Sequence, residues 1–172
     1  DASAAWVAMI GATTGALAAY LEQDIAREVF GDPEAVVTGV YAPMGRAQAE
    51  GAAYRVTGQW KWNSGVQISR WILGGCVLIE NGAPKLNQAG APVMRMMIAP
   101  RDEVRHIDTW RTGGLRGTGS GDMAMDDVRV PAARSVSLTD DEPRIATALY
   151  AFPAFGMLAL GIASVASGNA KG

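Results

Sequence analysis

Apolar and polar residues follow three different patterns along the chain, and the first pattern predicts helices. Residues 4–21 carry no charge and are rich in Ala and Leu, which favour a helix. Asp1 or Ser3 can cap the start of this helix, because both side chains accept hydrogen bonds from backbone N–H groups. A second short helix is predicted over 22–30, since the Gly-Asp-Pro sequence at 31–33 ends it.

The middle zone, residues 36–131, has the short alternating runs of β-strands. Tyr54, Val56, Trp60 and Trp62 share one phase of such a run, and polar residues occupy the other phase. This alternation predicts a half-buried strand with both Trp rings on the same face.

Further strands are predicted in the same zone. Residues 71–79 and 94–99 are continuous apolar runs, typical of strands buried on both faces, with a loop over 82–92 between them. The alternation of the strand that ends at Pro131 slips by one position, and a bulge near 126–127 would restore it. Several short strands at this spacing predict a sandwich or a small barrel.

The last zone, about 143–172, predicts a helix that Pro153 and Gly156 interrupt, and it is uncharged from 145 to 169. This stretch and 4–21 both reach the length of a membrane span. Their many Gly and Ala residues keep the hydropathy modest, which favours helices buried in a larger protein. The chain also starts without Met, so we expect a fragment of a longer protein.

Composition and charge exclude several classes of protein. The 172 residues are 49% apolar and 19% charged, which indicates about one globular domain. The net charge of −2, without a basic stripe, argues against a nucleic-acid partner. The single cysteine, Cys76, excludes a disulfide framework and a multi-cysteine zinc site. Because Cys76 lies in a buried apolar run, we expect it to be an inert small hydrophobic residue.

A glycine-rich stretch is the first candidate for chemistry. Five glycines lie between Gly113 and Gly121, and such a loop lets backbone N–H groups approach an anionic or polar ligand. The stretch is not a Walker loop, since Gly-Lys-Ser/Thr does not end it, and no predicted helix follows as in a dinucleotide fingerprint. Spacing alone favours an ordinary glycine-rich hairpin.

A second candidate is the stretch GQWKWNSG, residues 58–65. Trp60 and Trp62 share a phase that Ser64 continues, so two rings and a hydroxyl could form a wall for a flat heteroaromatic ring. Taken alone, the stretch is better explained as the packed face of a sheet.

The remaining titratable residues point to structural roles. His106 is the one histidine, and without further ligands at metal-binding spacing it predicts a surface or packing role. The adjacent carboxylates at 126–127 and 140–141 are expected to be solvated turn residues. We therefore predict no metal site.

Taken together, the two candidate stretches resemble the middle domain of the acyl-CoA dehydrogenase superfamily. That family's N-G-x-K-x-W-I-T-N-A segment aligns without gaps, with Trp62 on its Trp and Ser64 on its Thr. Its L-G-x-R/K-G-S-x-T…F-E-D-V-x-V-P segment aligns from Gly114 to Pro131. Within it, the hydroxyl positions fall on Thr118 and Ser120 and the basic position on Arg116.

The segments GLRGTGS and SAAWVAMIGATTG are similar to the sequences of one branch of the superfamily, the two-component flavin-dependent monooxygenases. This branch includes the oxygenase components for 4-hydroxyphenylacetate and for a steroid phenol. The resemblance implies an α+β fold. Residues 1–35 would end an N-terminal helical domain, 36–140 would form a middle β-barrel or sandwich domain, and 141–172 would start a truncated C-terminal helical domain.

The resemblance also implies a function and a set of site residues. A flavin-dependent oxygenase component would use reduced FAD or FMN, supplied by a separate reductase, and O2 to hydroxylate a small organic substrate, including an aromatic one. Ser64 would be the catalytic residue, through a hydrogen bond to the reactive nitrogen of the flavin ring. The residues expected to bind the cofactor are Pro43, Gly45, Trp62, Asn63, Ser64, Arg116, Thr118 and Ser120. We further expect a cytoplasmic homotetramer with no nucleic-acid or membrane partner.

Two alternatives stay open. An acyl-CoA dehydrogenase would oxidise an acyl-CoA with FAD, but the family's T-E-P-x-x-G-S-D segment is replaced here by 41–46, in which only Pro43 and Gly45 correspond. This departure favours the hydroxylase branch. Residues 66–69 lack the His that hydroxylases of that branch often have, which counts against a phenol as substrate. The second alternative is a truncated β domain without catalytic activity.

Overall fold

In the computed structural model, which describes residues 1–171, helices flank a single mixed β-sheet. The helices are α1 (Ala2–Gly15), α2 (Gln23–Phe30), α3 (Ala148–Ala151) and α4 (Ala154–Lys171). The strands are β1 (Val36–Glu50), β2 (Ala53–Asn63), β3 (Ser69–Glu80), β4 (Ala83–Pro84), β5 (Met94–Pro100), β6 (Arg105–Ile107), β7 (Gly121–Pro131) and β8 (Ser135–Val136). Short 3-10 turns cover Ala16–Tyr20, Arg101–Glu103, Arg116–Thr118 and Ala132–Arg134.

The helices begin and end largely where the sequence predicts. Asp1 caps α1, because its carboxylate accepts a hydrogen bond from the backbone N–H of Ala4 at 3.0 Å. Pro153 separates α3 from α4 as predicted. The predicted interruption at Gly156 is wrong, since this residue lies inside the first turn of α4. One glycine costs a helix only about 1 kcal/mol, and the apolar residues that follow continue the helix.

The strand order is β6-β7-β2-β1-β3-β5-β8, and β4 pairs with β3 outside this path. The pair β1–β3 is parallel, and the other pairs in the path are antiparallel. The mixed sheet with its flanking helices confirms the predicted α+β class, and the sheet remains open instead of closing into a barrel. Its edge strands β6 and β8 have only three and two residues, too few to complete the ladder that closure requires.

The sheet nevertheless curls around one core and carries helices on its outer face. On β3, Ile72, Cys76 and Leu78 belong to the inner core, together with residues of β2, β5 and β7. Trp71 and Leu73 point to the other face, where they pack in a second cluster with the first helical region. The prediction of a strand buried on both faces is therefore confirmed for β3.

The predicted bulge at 126–127 is also present. Val56 pairs with Val128 and Gly58 pairs with Met125, so Thr57 alone faces two residues of β7. Asp127 adopts a φ of 57°, and its N–H donates to the Thr57 hydroxyl at 3.1 Å. The extra residue restores the inward phase of the apolar side chains on both sides of the bulge.

The two Trp residues of β2 do not share a face, which corrects the predicted aromatic wall. Trp60 is fully buried, and its indole N–H donates to the carbonyl of Gly75 at 2.7 Å. Trp62 adopts a φ of 67° and is 70% exposed. The left-handed backbone at Trp62 turns its side chain outward, and the pairing of β2 with β7 shifts between Trp60 and Asn63.

Three glycines make room for the buried Trp60 ring. A Cβ atom on Gly45 would lie 2.1 Å from Cζ2 of Trp60, and one on Gly74 would lie 2.8 Å from the same atom. A Cβ atom on Gly58 would lie 2.6 Å from Cα of Gly45 and 3.0 Å from the ring. The ring therefore fills the space of three absent side chains on β1, β2 and β3.

Both terminal helical regions present apolar surface. The segment Ala2–Tyr20 is long and apolar enough to cross a membrane, a property it shares with core helices of water-soluble proteins, and 28% of it is buried. Near its end, Leu17 and Ala19 are buried, and the Thr14 hydroxyl donates to the carbonyl of Val37 at 2.6 Å. Large apolar side chains are exposed over the final region: Ile145, Leu149, Phe152, Phe155, Leu160 and Ile162.

We expect Gly45→Ala to destabilise the full-length protein by about 1–3 kcal/mol, because the added methyl group overlaps the Trp60 ring. The measurement is the free energy of unfolding from urea denaturation. Gly113→Ala is the matched control, since a Cβ there meets nothing within 4 Å, and its effect should stay within about 0.5 kcal/mol. Equal effects of the two substitutions would contradict the packing role of Gly45.

We expect the Cys76 thiol to be unreactive in the native protein. Burial raises the pKa of Cys76 to about 12, so the nucleophilic thiolate is essentially absent at neutral pH. Alkylation with iodoacetamide at pH 7.5, followed by mass spectrometry of the Cys76 peptide, should give modification only after denaturation. Rapid labelling of Cys76 in the native state would contradict this expectation and would show that β3 opens to solvent.

Candidate active site

The turn that follows β2 carries Ser64 and is fixed on both sides. Gly65 adopts a φ of 76°, which glycine tolerates without strain. Its N–H donates to the carbonyl of Thr118 at 2.8 Å, and its carbonyl accepts a hydrogen bond from the Ser69 hydroxyl at 2.9 Å. Because Ser69 donates its only hydroxyl proton to the Gly65 carbonyl, the Thr38 hydroxyl, 2.5 Å from that of Ser69, must donate to Ser69.

The glycine-rich segment is held by one backbone carbonyl, that of Leu115. This residue adopts a left-handed φ of 52°, which is rare for a non-glycine residue. Its carbonyl accepts hydrogen bonds from the Trp110 indole at 3.1 Å, the Thr118 hydroxyl at 2.8 Å and the Thr118 N–H at 3.1 Å. These bonds fix the 3-10 turn Arg116–Thr118 and the position of the Thr118 hydroxyl.

The turn and the glycine-rich segment meet in a row of three buried hydroxyls. The Ser64 oxygen lies 2.8 Å from that of Ser120, which lies 2.6 Å from that of Thr118. From the other side, the indole N–H of Trp6 on α1 donates to the Ser64 oxygen at 2.9 Å. We refer to Trp6, Ser64, Ser120 and Thr118 as the hydroxyl chain.

The two ends of the hydroxyl chain fix the direction of every hydrogen bond in it. The Leu115 carbonyl can only accept, so it takes the single proton of Thr118. Thr118 must then accept from Ser120, and Ser120 must accept from Ser64. The Trp6 indole can only donate, which agrees with this order. Ser64 therefore keeps one free lone pair and no free proton.

An open groove lies beside this chain, between the start of α1 and the glycine-rich segment. It is lined by Asp1, Ser3, Ala4, Val7, Ala8, Ile68, Gly113, Leu115, Arg116 and Gly117. Arg116 also lines a neighbouring polar recess with Trp110, Arg111 and Thr112. The Arg111 guanidinium is paired with Asp108 at 2.8 and 2.9 Å, which holds the pKa of that carboxyl below its usual value. Arg116 thus offers an exposed positive charge to an anionic ligand.

The structure brings together most of the predicted site residues. Ser64, Thr118 and Ser120 are in contact, and Trp62 and Asn63 immediately precede Ser64. Ser64, Thr118 and Ser120 are 5%, 1% and 4% exposed and do not belong to the groove lining, so the row of hydroxyls is buried beside the groove.

Pro43 and Gly45 are not brought to this cluster. Gly45 pairs with Gly58 on β2 and Cys76 on β3, within the strands, whereas Ser64 lies beyond the end of β2. The glycine at 45 is explained by the Trp60 ring. A cofactor-binding role for Pro43 and Gly45 stays a prediction, without a supporting contact in the described part of the chain.

Sequence reasoning missed two residues of the cluster. The sequence places Trp6 in the apolar first helix and in the motif SAAWVAMIGATTG, but it does not indicate the bond to Ser64, which spans 58 positions. Gln67 was not singled out, yet its side chain donates to the carbonyl of Gly119 at 3.1 Å and fills the space beside that glycine. A Trp in an uncharged, Ala-rich helix is the one signal for Trp6, and its partner cannot be inferred from the sequence.

Two buried polar atoms near β7 have no hydrogen-bond partner among the described residues. They are Oδ1 of the fully buried Asn63, whose amide N–H donates to the Met123 sulfur at 3.1 Å, and Nε2 of His106. His106 on β6 pairs with Met123 on β7, and its ring occupies the space beside Gly121, which fits the predicted packing role.

The acidic pairs are held by other side chains. Asp126 pairs with Arg105, Asp127 with Arg55 and Asp141 with Arg95, and Asp140 accepts a hydrogen bond from Ser137. Within residues 1–171, no group of three or more His, Cys, Asp or Glu side chains could hold a metal ion.

Comparison with known proteins gives consistent similarities, although no family model matches the chain. The chain is 34% identical over 183 residues to an indole-3-acetate monooxygenase of Pseudomonas putida, covering 100% of this chain and 45% of that protein. It is 33% identical over 140 residues to the oxygenase component of an FADH(2)-dependent resorcinol hydroxylase from Rhizobium sp. (strain MTP-10005), covering 81% of this chain and 33% of that protein.

A solved structure is similar over nearly the whole chain. The structure of XiaF from Streptomyces sp. in complex with FADH2 and glycerol matches with a TM-score of 0.77 and 28% identity, over 95% of this chain and 42% of XiaF. The chain spans between 27% and 45% of the length of the curated relatives that it matches.

We expect Gly65→Ala to destabilise the full-length protein more than Gly51→Ala does. Both glycines have a left-handed φ, which costs a non-glycine residue about 1–2 kcal/mol. A Cβ on Gly65 would also press on Thr38 at 3.1 Å and on Val7 at 3.3 Å, whereas Gly51 faces open space. Chemical denaturation should show about 1 kcal/mol of additional loss at Gly65. The same loss at both positions would contradict tight packing of this turn.

Proposed function

We propose, from the homology of this chain to the oxygenase components of flavin-dependent monooxygenases with an acyl-CoA dehydrogenase-like fold, that the full-length protein is such a component. One oxygen atom of O2 would enter a C–H bond of a small organic substrate as a hydroxyl group. The other oxygen atom would leave as water, with both electrons taken from the reduced flavin.

The residues present fit a flavin ring. The observation that carries the proposal is the free lone pair of Ser64, fixed by hydrogen bonds to Trp6 and Ser120. A reduced flavin carries an N–H group at its reactive ring nitrogen, and this group can donate to Ser64. Nearby, the exposed and backbone-strained Trp62 offers an aromatic surface, since strain of this kind concentrates at functional sites.

Other residues would hold the remainder of the cofactor. Arg116 and the backbone N–H groups of the glycine-rich segment can bind phosphate oxygens at the rim of the groove. The bound reduced flavin supplies the electrons and activates O2. The task of the protein residues is to exclude water and to keep the proton on the ring nitrogen, which Ser64 does by accepting its hydrogen bond.

We extend the proposal to the cofactor type, partners and location. Reduced FAD is favoured over FMN, because XiaF binds FADH2 and the resorcinol hydroxylase is FADH(2)-dependent by name. A separate flavin reductase would supply it, since that relative is described as an oxygenase component. An aromatic substrate is favoured by the resorcinol and indole-3-acetate enzymes. The exposed apolar side chains of α3 and α4 support assembly into a homotetramer, which we propose acts in the cytoplasm.

We expect Ser64→Ala in the full-length protein to impair oxygen transfer more than flavin binding. Losing one neutral hydrogen bond costs about 0.5–1.5 kcal/mol, so the Kd for reduced FAD should rise by about tenfold or less. Loss of the contact that holds the ring proton should raise the fraction of reduced FAD that ends as free hydrogen peroxide. The measurement is hydrogen peroxide released per reduced FAD consumed under O2, alongside an anaerobic titration of flavin affinity.

Ser137→Ala is the control, because it removes an equally buried hydroxyl that contacts Thr139 and Asp140 instead of the hydroxyl chain. It should change neither quantity. Unchanged peroxide release in Ser64→Ala would show that Ser64 does not control oxygen transfer, while the proposed family would stand. If an acyl-CoA reduces the flavin of the wild-type protein, the protein is a dehydrogenase and the proposed monooxygenase function is wrong.

A further inference from the structure

The hydroxyl chain controls what Ser64 can offer to a ligand. Its proton is bound to Ser120, whose own proton is bound to Thr118, and the Thr118 proton ends on the Leu115 carbonyl. All three residues are at most 5% exposed, so water is a poor competitor for their hydroxyl protons. In this arrangement Ser64 accepts hydrogen bonds from a ligand and cannot donate one.

A flavin ring presents opposite groups in its two redox states. The reactive nitrogen of the reduced ring bears a hydrogen and donates, whereas the same nitrogen in the oxidised ring has only a lone pair and accepts. An acceptor that faces another acceptor gains no hydrogen bond and loses the solvation of both groups. The direction of the hydroxyl chain is therefore a means of distinguishing the two states.

We infer that Ser120 determines which redox state of the flavin this site binds, by taking the Ser64 proton and leaving Ser64 as an acceptor for the reduced ring. This inference rests on the proposed function and assigns it a positioning residue that acts through Ser64. Ser120 is as buried as Ser64 and acts through its hydrogen bond to the Ser64 hydroxyl, so it does not need to touch the flavin.

The test is Ser120→Ala in the full-length protein. Without its acceptor, the Ser64 proton is free to donate to the oxidised ring, while the Ser64 lone pair still accepts from the reduced ring. We expect the affinity for oxidised FAD to increase about 3- to 10-fold, with a change of about 3-fold or less for reduced FAD. Anaerobic titrations with each form measure both affinities. A tenfold change in their ratio corresponds to about 30 mV in the two-electron potential of the bound FAD.

Trp6→Phe is the matched control. It removes a different hydrogen bond from the same Ser64 oxygen, yet the Ser64 proton stays bound to Ser120. The ratio of the two affinities should therefore stay at the wild-type value, even if both affinities fall. Ser120→Thr retains a hydroxyl and should restore the wild-type ratio.

A measurement on the wild-type protein keeps the inference testable if Ser120→Ala does not fold. Reduced 5-deaza-FAD, in which a carbon replaces the reactive nitrogen, cannot donate to Ser64 and should bind about tenfold more weakly than reduced FAD. Equal binding of these two probes, or an unchanged affinity ratio in folded Ser120→Ala, would overturn the inference while the proposed function stands. A protein that binds neither form of FAD would overturn the proposed function itself.

Discussion

The packing of one indole ring against three glycines holds the centre of this sheet together. Trp60 projects from β2 into the space left by Gly45 on β1, Gly58 on β2 itself and Gly74 on β3. The ring is fully buried, and its N–H donates to the Gly75 carbonyl at 2.7 Å, so the one polar group of the side chain has a partner. A larger residue at any of these glycines would displace the ring. The close approach of β1, β2 and β3 therefore depends on this one side chain.

The position of the candidate site follows from this anchor. Beyond Trp60, β2 leaves its regular pairing with β7, and the left-handed backbone of Trp62 sends that ring to the surface. Asn63 then points into the interior, and Ser64 lies at the start of a turn that Thr118 and Ser69 hold through the backbone of Gly65. An exposed aromatic ring and a buried hydroxyl are thus placed two residues apart. Regular strand geometry would have buried both on the same face.

The chemistry of the site depends on the direction of its hydrogen bonds as much as on its residue types. Serine hydroxyls donate and accept equally well, so Ser64 alone specifies nothing about its ligand. An indole N–H at one end and a backbone carbonyl at the other end remove this ambiguity from the whole chain. Because each buried donor must find an acceptor, a change at Ser120 is transmitted to Ser64 without any movement of the backbone.

The sequence by itself determined the helices at both ends, the doubly buried β3 and the bulge at 126–127, since these follow from the local period of apolar residues and from proline and glycine positions. The resemblance of two short motifs also predicted that Ser64, Thr118 and Ser120 act together, and the structure places their three hydroxyls in contact. Only the tertiary structure decided that the side chains of Trp60 and Trp62 lie on different faces, because the left-handed backbone at Trp62 breaks the two-residue alternation of the strand. It alone showed that the sheet stays open and that Gly45 serves the core. It also brought Trp6 to Ser64 across 58 positions, a contact made by packing α1 over the turn after β2 and encoded in no local pattern.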